Sequence, residues 1–328
     1  MRRVAINGFG RIGRAVFKVL REDDETEVVA INDLIPADNL AYLLRFDSVY
    51  GRYHRSVDVD SDGLVVDGGK VPVLAVKNPA DLPWKQLEVD VVVESTGVFD
   101  KHEDLVKHVQ AGAKHVILSA PTKSPEIATV VHGVNKAEGV GIISCASCTT
   151  NCITPVVEVM NRRIGVEKAM LTTVHSYTST QGIVDSPSRK LRRGRAAAAN
   201  QVPTSTGAAV ATTKALPELS GRFDGVAIRV PTPVGSISDI VFVTSRDTSV
   251  DEIATIFTEE AESKRYKGIL GVSNEELVSS DIVGDPRASI VDLGMTRVVA
   301  GNLVKILAWY DNEWGYANQL VRELCAIA

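Results

Sequence analysis

The feature that most constrains this chain is the run Gly8-Phe9-Gly10-Arg11-Ile12-Gly13, a G-x-G-x-x-G pattern. It follows the β-prone Val4-Ala5-Ile6 and opens an amphipathic stretch from Arg11, and Asp33 lies 20 residues beyond Gly13 at the end of the next β-prone run. The pattern alone is common; a strand before it, a helix after it and an acidic residue at that spacing make it a dinucleotide fingerprint. Gly8 permits a tight turn, Gly10 lets the backbone approach a pyrophosphate, and Gly13 lets helix pack closely on strand. The helix N-terminus then faces the phosphates with free N–H groups. Asp33 is expected to accept hydrogen bonds from the adenosine ribose hydroxyls and to repel a 2′-phosphate, which favours NAD over NADP. Arg11 is expected near the pyrophosphate.

The first half alternates strand-like runs at 4–7, 28–32, 89–94, 115–119 and 141–144 with helix candidates at 11–22 and 101–111. Such alternation implies parallel strands joined by crossover helices, a doubly wound α/β sheet of the Rossmann type. The stretch 57–76, with turn signals at Asp62-Gly63 and Gly68-Gly69, reads as inserted hairpins. Ligands of open α/β sheets sit beyond the carboxyl ends of the strands, so Ser95, Thr96 and Gly97, and Ser119 in a later turn, are candidate cofactor contacts. The second half has longer β-rich runs at 169–177, 226–230, 236–244 and 298–310, a helix candidate at 250–266 and a closing helix at 315–326. It reads as an α+β catalytic domain with a mainly antiparallel sheet. We expect residues 1–147, completed by 313–328, to form the NAD-binding domain and 148–312 the catalytic domain. The stretch 178–200 has no clear period and carries Pro187 and five Arg or Lys residues; so long an irregular segment is usually functional or at an interface.

Across 328 residues, 36 Lys and Arg stand against 41 Asp and Glu, a formal net charge of −5. A mildly acidic chain gives no general reason to expect nucleic acid or an acidic membrane as partner. Apolar runs fall far short of the ~20 residues a membrane span needs. The N-terminus runs straight into a strand-like segment without a signal region, so the expected compartment is the cytoplasm.

Three of the four cysteines, Cys145, Cys148 and Cys152, crowd into eight residues, with Cys325 far away. This is not the disulfide framework of a small secreted fold. The Cys145/Cys148 pair lacks a second pair of ligands at zinc spacing, so no metal is expected. Cys148 follows the 141–144 run and precedes Thr149-Thr150-Asn151, which resembles a helix start. A thiol there gains from the helix dipole and free N–H groups, which favour thiolate and can stabilise an oxyanion. Cys152 and Cys325 read as inert. Among six histidines, His175 alone sits in an apolar, hydroxyl-rich strand and is the candidate base for Cys148. Thr178, Thr180, Arg195, Thr206, Gly207 and Arg229 are suited to phosphate, which arginine can bind bidentately. Arg229 ends an apolar strand, where an unpaired charge would be unfavourable.

Ala5-Ile6-Asn7-Gly8-Phe9-Gly10-Arg11-Ile12-Gly13-Arg14, Ala146-Ser147-Cys148-Thr149-Thr150-Asn151-Cys152, His175-Ser176-Tyr177-Thr178 and Trp309-Tyr310-Asp311-Asn312-Glu313-Trp314-Gly315-Tyr316 resemble phosphorylating glyceraldehyde-3-phosphate dehydrogenases, from end to end and in consistent order. The resemblance implies that Cys148 attacks the aldehyde of glyceraldehyde 3-phosphate, with His175 taking the proton. Hydride passes to NAD, and inorganic phosphate releases the thioester as 1,3-bisphosphoglycerate. By position it assigns Thr178, Thr180 and Arg229 to the substrate phosphate, and Ser147, Thr149, Arg195 and Thr206 to the attacking phosphate, with Gly207 also in the phosphate-binding set. Asn312 would fix the nicotinamide amide. Asn7, Phe9, Ile12, Lys77 and Tyr316 join the cofactor set, Lys77 standing where many members have Arg near the adenine. Cys145 stands where the family commonly has Asn. The family is typically a homotetramer with the 178–200 equivalent at a subunit interface. The close alternatives are erythrose-4-phosphate dehydrogenase, disfavoured by Ser176-Tyr177-Thr178, and an NADP-using type, disfavoured by Asp33.

Overall fold

A computed structural model describes residues 1–137 and 139–327. The chain divides into two compact units, residues 1–130, 136–146 and 320–328 in the first, and 131–135 and 147–319 in the second.

In the first unit, the buried apolar strand Arg2–Asn7 pairs in parallel with Thr26–Asn32 on one side and Val91–Glu94 on the other. Outward from Val91–Glu94 lie His115–Leu118, Ile142–Ser144 and Ala128–Thr129, all parallel. Outward from Thr26–Asn32 lies Gly69–Leu74, continued by the antiparallel strands Gly63–Val66 and Val57–Val59. Strand order therefore reverses beside Arg2–Asn7, the place where open α/β sheets bind ligands. The crossover helices are Arg11–Leu20, which buries Ala15, Val16, Phe17 and Leu20, and His102–Gln110. The expected 57–76 hairpins are present as two antiparallel pairings. The helix Ala37–Arg45, which no sequence cap announces, begins after Pro36 without a side-chain cap.

The second unit is built on a seven-stranded sheet, ordered Val202–Ser205, Phe223–Val230, Val166–Ser176, Ser236–Thr244, Leu303–Tyr310, Ser289–Val299 and Leu270–Ser273. Its pairings are antiparallel except two, Val166–Ser176 with Phe223–Val230 and Leu270–Ser273 with Ser289–Val299. In Ser236–Thr244 buried and half-buried residues alternate strictly, as one core-facing side requires. The 298–310 run is not one strand: Ala300 and Gly301, at φ +50° and +79°, turn the chain between Ser289–Val299 and Leu303–Tyr310. The helix Cys148–Arg163 is buried from Thr149 to Met160, polar residues included, and packs in the unit's main core with Ile240, Phe242, Val291 and Ile306. Pro155 lies inside this helix, which continues to Arg163. The 178–200 stretch is irregular apart from short 3₁₀ turns at Leu191–Gly194 and Ala197–Ala199.

Candidate active site

The glycine loop has the geometry its spacing implies. Gly8 takes φ +93°, and a Cβ there would lie 2.5 Å from the Thr96 nitrogen; a Cβ on Gly13 would lie 2.1 Å from the Gly8 oxygen. Gly10, by contrast, is exposed and has nothing within 4 Å of its Cβ position. Bulk is thus excluded at Gly8 and Gly13 by the protein itself, while Gly10 leaves open space over the uncapped start of helix Arg11–Leu20. That is the cradle a pyrophosphate fits. Asp33 Oδ2 accepts from the Phe9 N–H at 2.7 Å, and Oδ1 from the Ile35 N–H at 3.0 Å, so its carboxylate is braced against the loop. Arg11 Nη1 pairs with Asp47 at 2.5 Å. The Phe9 side chain is buried edge-on against Phe17, which leaves its backbone to the loop. Lys77 is exposed and adjoins Val76, whose N–H and C=O both bond the Asn32 side chain next to Asp33. Ile12 is half-buried at the helix start, and Ser119 is half-buried just past His115–Leu118.

Beneath the loop lies a buried polar chain that sequence reasoning missed. Trp84 Nε1 donates to His108 Nδ1 at 2.9 Å, and His108 Nε2 faces Glu94 Oε2 at 3.1 Å. Glu94 also accepts from Asn7 Nδ2 at 2.5 Å and from the Thr96 N–H at 2.8 Å, while Asn32 Nδ2 donates to Asn7 Oδ1 at 2.7 Å. Asn7 and Thr96 therefore face this network as well as the loop, and Ser95 Oγ donates to the Gly8 oxygen at 2.7 Å. Gly97, at φ +73° with open surroundings, ends the turn.

In the second unit, Ser147 caps helix Cys148–Arg163 by accepting from the Thr150 N–H at 3.1 Å, and Cys148 is the first helical residue. Cys148 Sγ lies 3.3 Å from His175 Nε2. Arg229 sits directly across from His175 in the parallel pairing, with Nη1 2.7 Å from His175 Nδ1 and 2.8 Å from the Ser176 carbonyl. His175 Nδ1 is itself 2.7 Å from that carbonyl, so it faces one donor and one acceptor. With Nδ1 accepting from Arg229, the proton on Nε2 supports a thiolate; with Nδ1 donating to Ser176, Nε2 is free to take the thiol proton. Burial pushes the Cys148 thiol up, against the pull of Arg229 and the Thr149 and Cys148 donors, and holds His175 down to about 3, with Arg229 adding to the effect. Both shifts favour the uncharged forms, a thiol beside a neutral imidazole. Cys152 is buried, its thiol pushed up to about 12 by burial, and its Sγ donates to Ala308.

Around this pair, Thr149 Oγ1 lies 2.9 Å and Thr173 Oγ1 2.8 Å from the buried Tyr310 hydroxyl, whose ring packs edge-on against His175. Thr178 and Thr180 share a hydrogen bond at 2.9 Å on the rim. Thr206 Oγ1 accepts from the Ala208 N–H at 3.2 Å, and Gly207 opens helix Ala208–Ala215 without a side-chain cap. Arg195 is not brought into the cluster: its Nε pairs with Asp185 at 2.9 Å, and both side chains are mostly exposed. The cation whose charge acts on both His175 and Arg229 is Arg193, tied to Thr204 Oγ1 at 3.0 Å. Asn312 is buried, and its Oδ1 accepts from Ser176 Oγ, Ser236 Oγ and the Gly235 N–H. Tyr316 is buried two residues into helix Trp314–Ala326.

A dinucleotide cradle on a doubly wound sheet and a thiol–imidazole–guanidinium cluster on a mixed sheet define a thiol-bearing dehydrogenase architecture. Residues 2–102 match the family described as "Glyceraldehyde 3-phosphate dehydrogenase, NAD binding domain", and residues 147–312 match "Glyceraldehyde 3-phosphate dehydrogenase, C-terminal domain". The chain is 48% identical over 324 residues, 97% of its length and 96% of the relative's, to the "Glyceraldehyde-3-phosphate dehydrogenase" of Streptomyces coelicolor. It is 49% identical over 323 residues, with coverage of 97% and 96%, to "Glyceraldehyde-3-phosphate dehydrogenase 1" of Bacillus subtilis. It is 47% identical over 323 residues, with the same coverage of 97% and 96%, to the "Glyceraldehyde-3-phosphate dehydrogenase" of Geobacillus stearothermophilus. The chain belongs to the glyceraldehyde-3-phosphate dehydrogenase family.

Proposed function

We propose that the protein oxidises D-glyceraldehyde 3-phosphate and phosphorylates the product, giving 1,3-bisphosphoglycerate, with NAD as oxidant. The observation that carries this is the Cys148–His175 contact at 3.3 Å with Arg229 beside it. Cys148 Sγ attacks the aldehyde carbon while the thiol proton passes to His175 Nε2, and the N–H groups at the helix start stabilise the oxyanion. His175 returns that proton to the oxyanion, completing the hemithioacetal, and then, neutral again, removes the hydroxyl proton as hydride leaves, so that a thioester remains on Cys148. Bound NAD supplies the hydride acceptor. Phosphate attacks the thioester carbon, and the Cys148 thiolate departs and is reprotonated. Gly8, Gly10, Gly13 and Asp33 would hold the dinucleotide, with Asp33 setting the preference for NAD.

Arg229, Thr178 and Thr180 are assigned to the substrate phosphate, and Ser147, Thr149, Thr206 and Gly207 to the attacking phosphate. Arg193, rather than Arg195, supplies the further cation, because Arg195 is already paired with Asp185. A homotetrameric assembly is supported by the 178–200 stretch, where Ile183, Val184 and Leu191 are 86%, 71% and 85% exposed. Among the described residues no helix is long and apolar enough to cross a membrane; we place the enzyme in the cytoplasm with its phosphorylated substrates. The test is an NADH-formation assay with glyceraldehyde 3-phosphate or erythrose 4-phosphate, with and without phosphate, and with NADP in place of NAD. Activity independent of phosphate would overturn the phosphorylating mechanism, and preference for erythrose 4-phosphate would overturn the substrate.

A further inference from the structure

We propose that Ser176 and Ser236 are positioning residues that lock the Asn312 amide with its nitrogen turned to the cofactor, and that this lock decides which face of the nicotinamide ring receives hydride. The proposal rests on the assignment of Asn312 to the nicotinamide carboxamide made above.

The orientation of the Asn312 amide follows from its neighbours. A backbone N–H can only donate, so the Asn312 atom 3.2 Å from the Gly235 nitrogen is the oxygen. The Ser176 hydroxyl at 2.8 Å and the Ser236 hydroxyl at 3.0 Å donate to the same oxygen. All of these groups are buried, with Ser176 at 0%, Ser236 at 1% and Asn312 at 5% exposure. Gly235 takes φ +93°, and a Cβ there would lie 2.3 Å from the Ser279 oxygen, so no side chain fits at this donor. The amide nitrogen, in contrast, has no acceptor among the described residues.

A flipped amide would set its NH₂ against these donors and lose three hydrogen bonds, which at the usual worth of such bonds holds the flipped form below about 1 in 100. The same donors polarise the amide and strengthen its N–H groups toward a carbonyl acceptor. A carboxamide oxygen bound there fixes the ring's rotation about its glycosidic bond, and turning the ring over presents the other face. Ser176 has a second link: its carbonyl accepts from Arg229 Nη1 at 2.8 Å. One residue therefore connects the amide that would orient the ring to the guanidinium beside His175.

The test uses the full-length protein and the variants Ser176→Ala, Ser236→Ala, their combination, and Ser176→Thr. Deuterium is transferred from C1-deuterated aldehyde to NAD, and the face of the product is read by proton NMR. Wild type should label one face only. Each alanine variant should raise KM for NAD about 3- to 10-fold, leaving the rate of Cys148 alkylation without NAD unchanged. The double variant should label both faces, and Ser176→Thr, which keeps the hydroxyl, should behave as wild type. One-face transfer with wild-type KM in the double variant would overturn the proposal. So would parallel loss of alkylation and turnover in every alanine variant, which marks a purely structural role. A wild-type protein that forms no NADH removes the reading of the site itself, and the proposal with it.

Discussion

Arg229 and His175 face each other across two parallel strands, with the guanidinium Nη1 2.7 Å from the imidazole Nδ1. A cation so placed works on two protons in opposite senses. It opposes a charge on His175, adding to the burial that depresses it, and it stabilises a charge on Cys148, partly offsetting the burial that raises the thiol. The arrangement keeps the imidazole neutral, and thus able to accept a proton, while making that proton easier for sulfur to release.

Replacing Arg229 with Leu should raise the pH at which Cys148 becomes thiolate by about one unit, slowing iodoacetamide alkylation near neutral pH about tenfold. The pH dependence of the alkylation rate in wild type and variant measures this. An unchanged inflection would show that Arg229 does not act on the thiol.

His175 also links folding to pH. Its folded value of about 3 lies below the ordinary 6.5, so in the window between them the unfolded chain binds a proton that the folded chain does not. Its contribution is present above about 6.5 and is lost as pH falls toward 3, at about 1.4 kcal/mol per unit. Between pH 6.5 and 5, urea titrations should show wild type losing about 2 kcal/mol more stability than His175→Asn. Equal losses would contradict a neutral buried imidazole.

The glycines of the loop should separate by kind. Gly10→Ala meets open space and should leave the melting temperature within a degree or two while weakening NAD binding at least about tenfold, because the methyl stands where the pyrophosphate must approach. Gly13→Ala meets the Gly8 oxygen and should destabilise the protein by about 1–3 kcal/mol before any question of NAD arises. Calorimetry and NAD titration on the two variants distinguish steric cause from ligand cause.

Arg193 and Arg195 should likewise differ. Arg193→Leu should raise KM for phosphate about tenfold or more, as loss of a charged partner implies, whereas Arg195→Leu removes an exposed pair with Asp185 and should change it less than about threefold. Steady-state kinetics with phosphate varied decides the assignment; equal effects would return Arg195 to the site.

What could be seen in the sequence follows the range of the interactions. The glycine loop is local, a strand, a turn and a helix between Arg2 and Leu20, and its three glycines carry their reasons in their spacing. The start of the Cys148 helix is equally local, since Ser147 and the run of small polar residues after Cys148 are a capping signal. The parallel and antiparallel characters of the two sheets were legible from alternation and strand length. Non-local relations were not. That Arg229 stands against His175 depends on strand register across 54 residues, and Arg193 and Arg195 are chemically identical in a segment without period. The Trp84–His108–Glu94 chain was hidden because His108 reads as one more polar residue of a charged helix, although the fold buries it completely. The break in the 298–310 run rests on Ala300 adopting positive φ, which its residue type does not advertise.

In the proposed reaction Cys148 carries the acyl group. Mixing the protein with glyceraldehyde 3-phosphate and NAD in the absence of phosphate, then quenching in acid and mapping peptides by mass spectrometry, tests it directly. One 3-phosphoglyceroyl adduct per chain is expected, on Cys148, formed with one equivalent of NADH and released by added phosphate. NADH formed without any adduct, or an adduct on another residue, would contradict it.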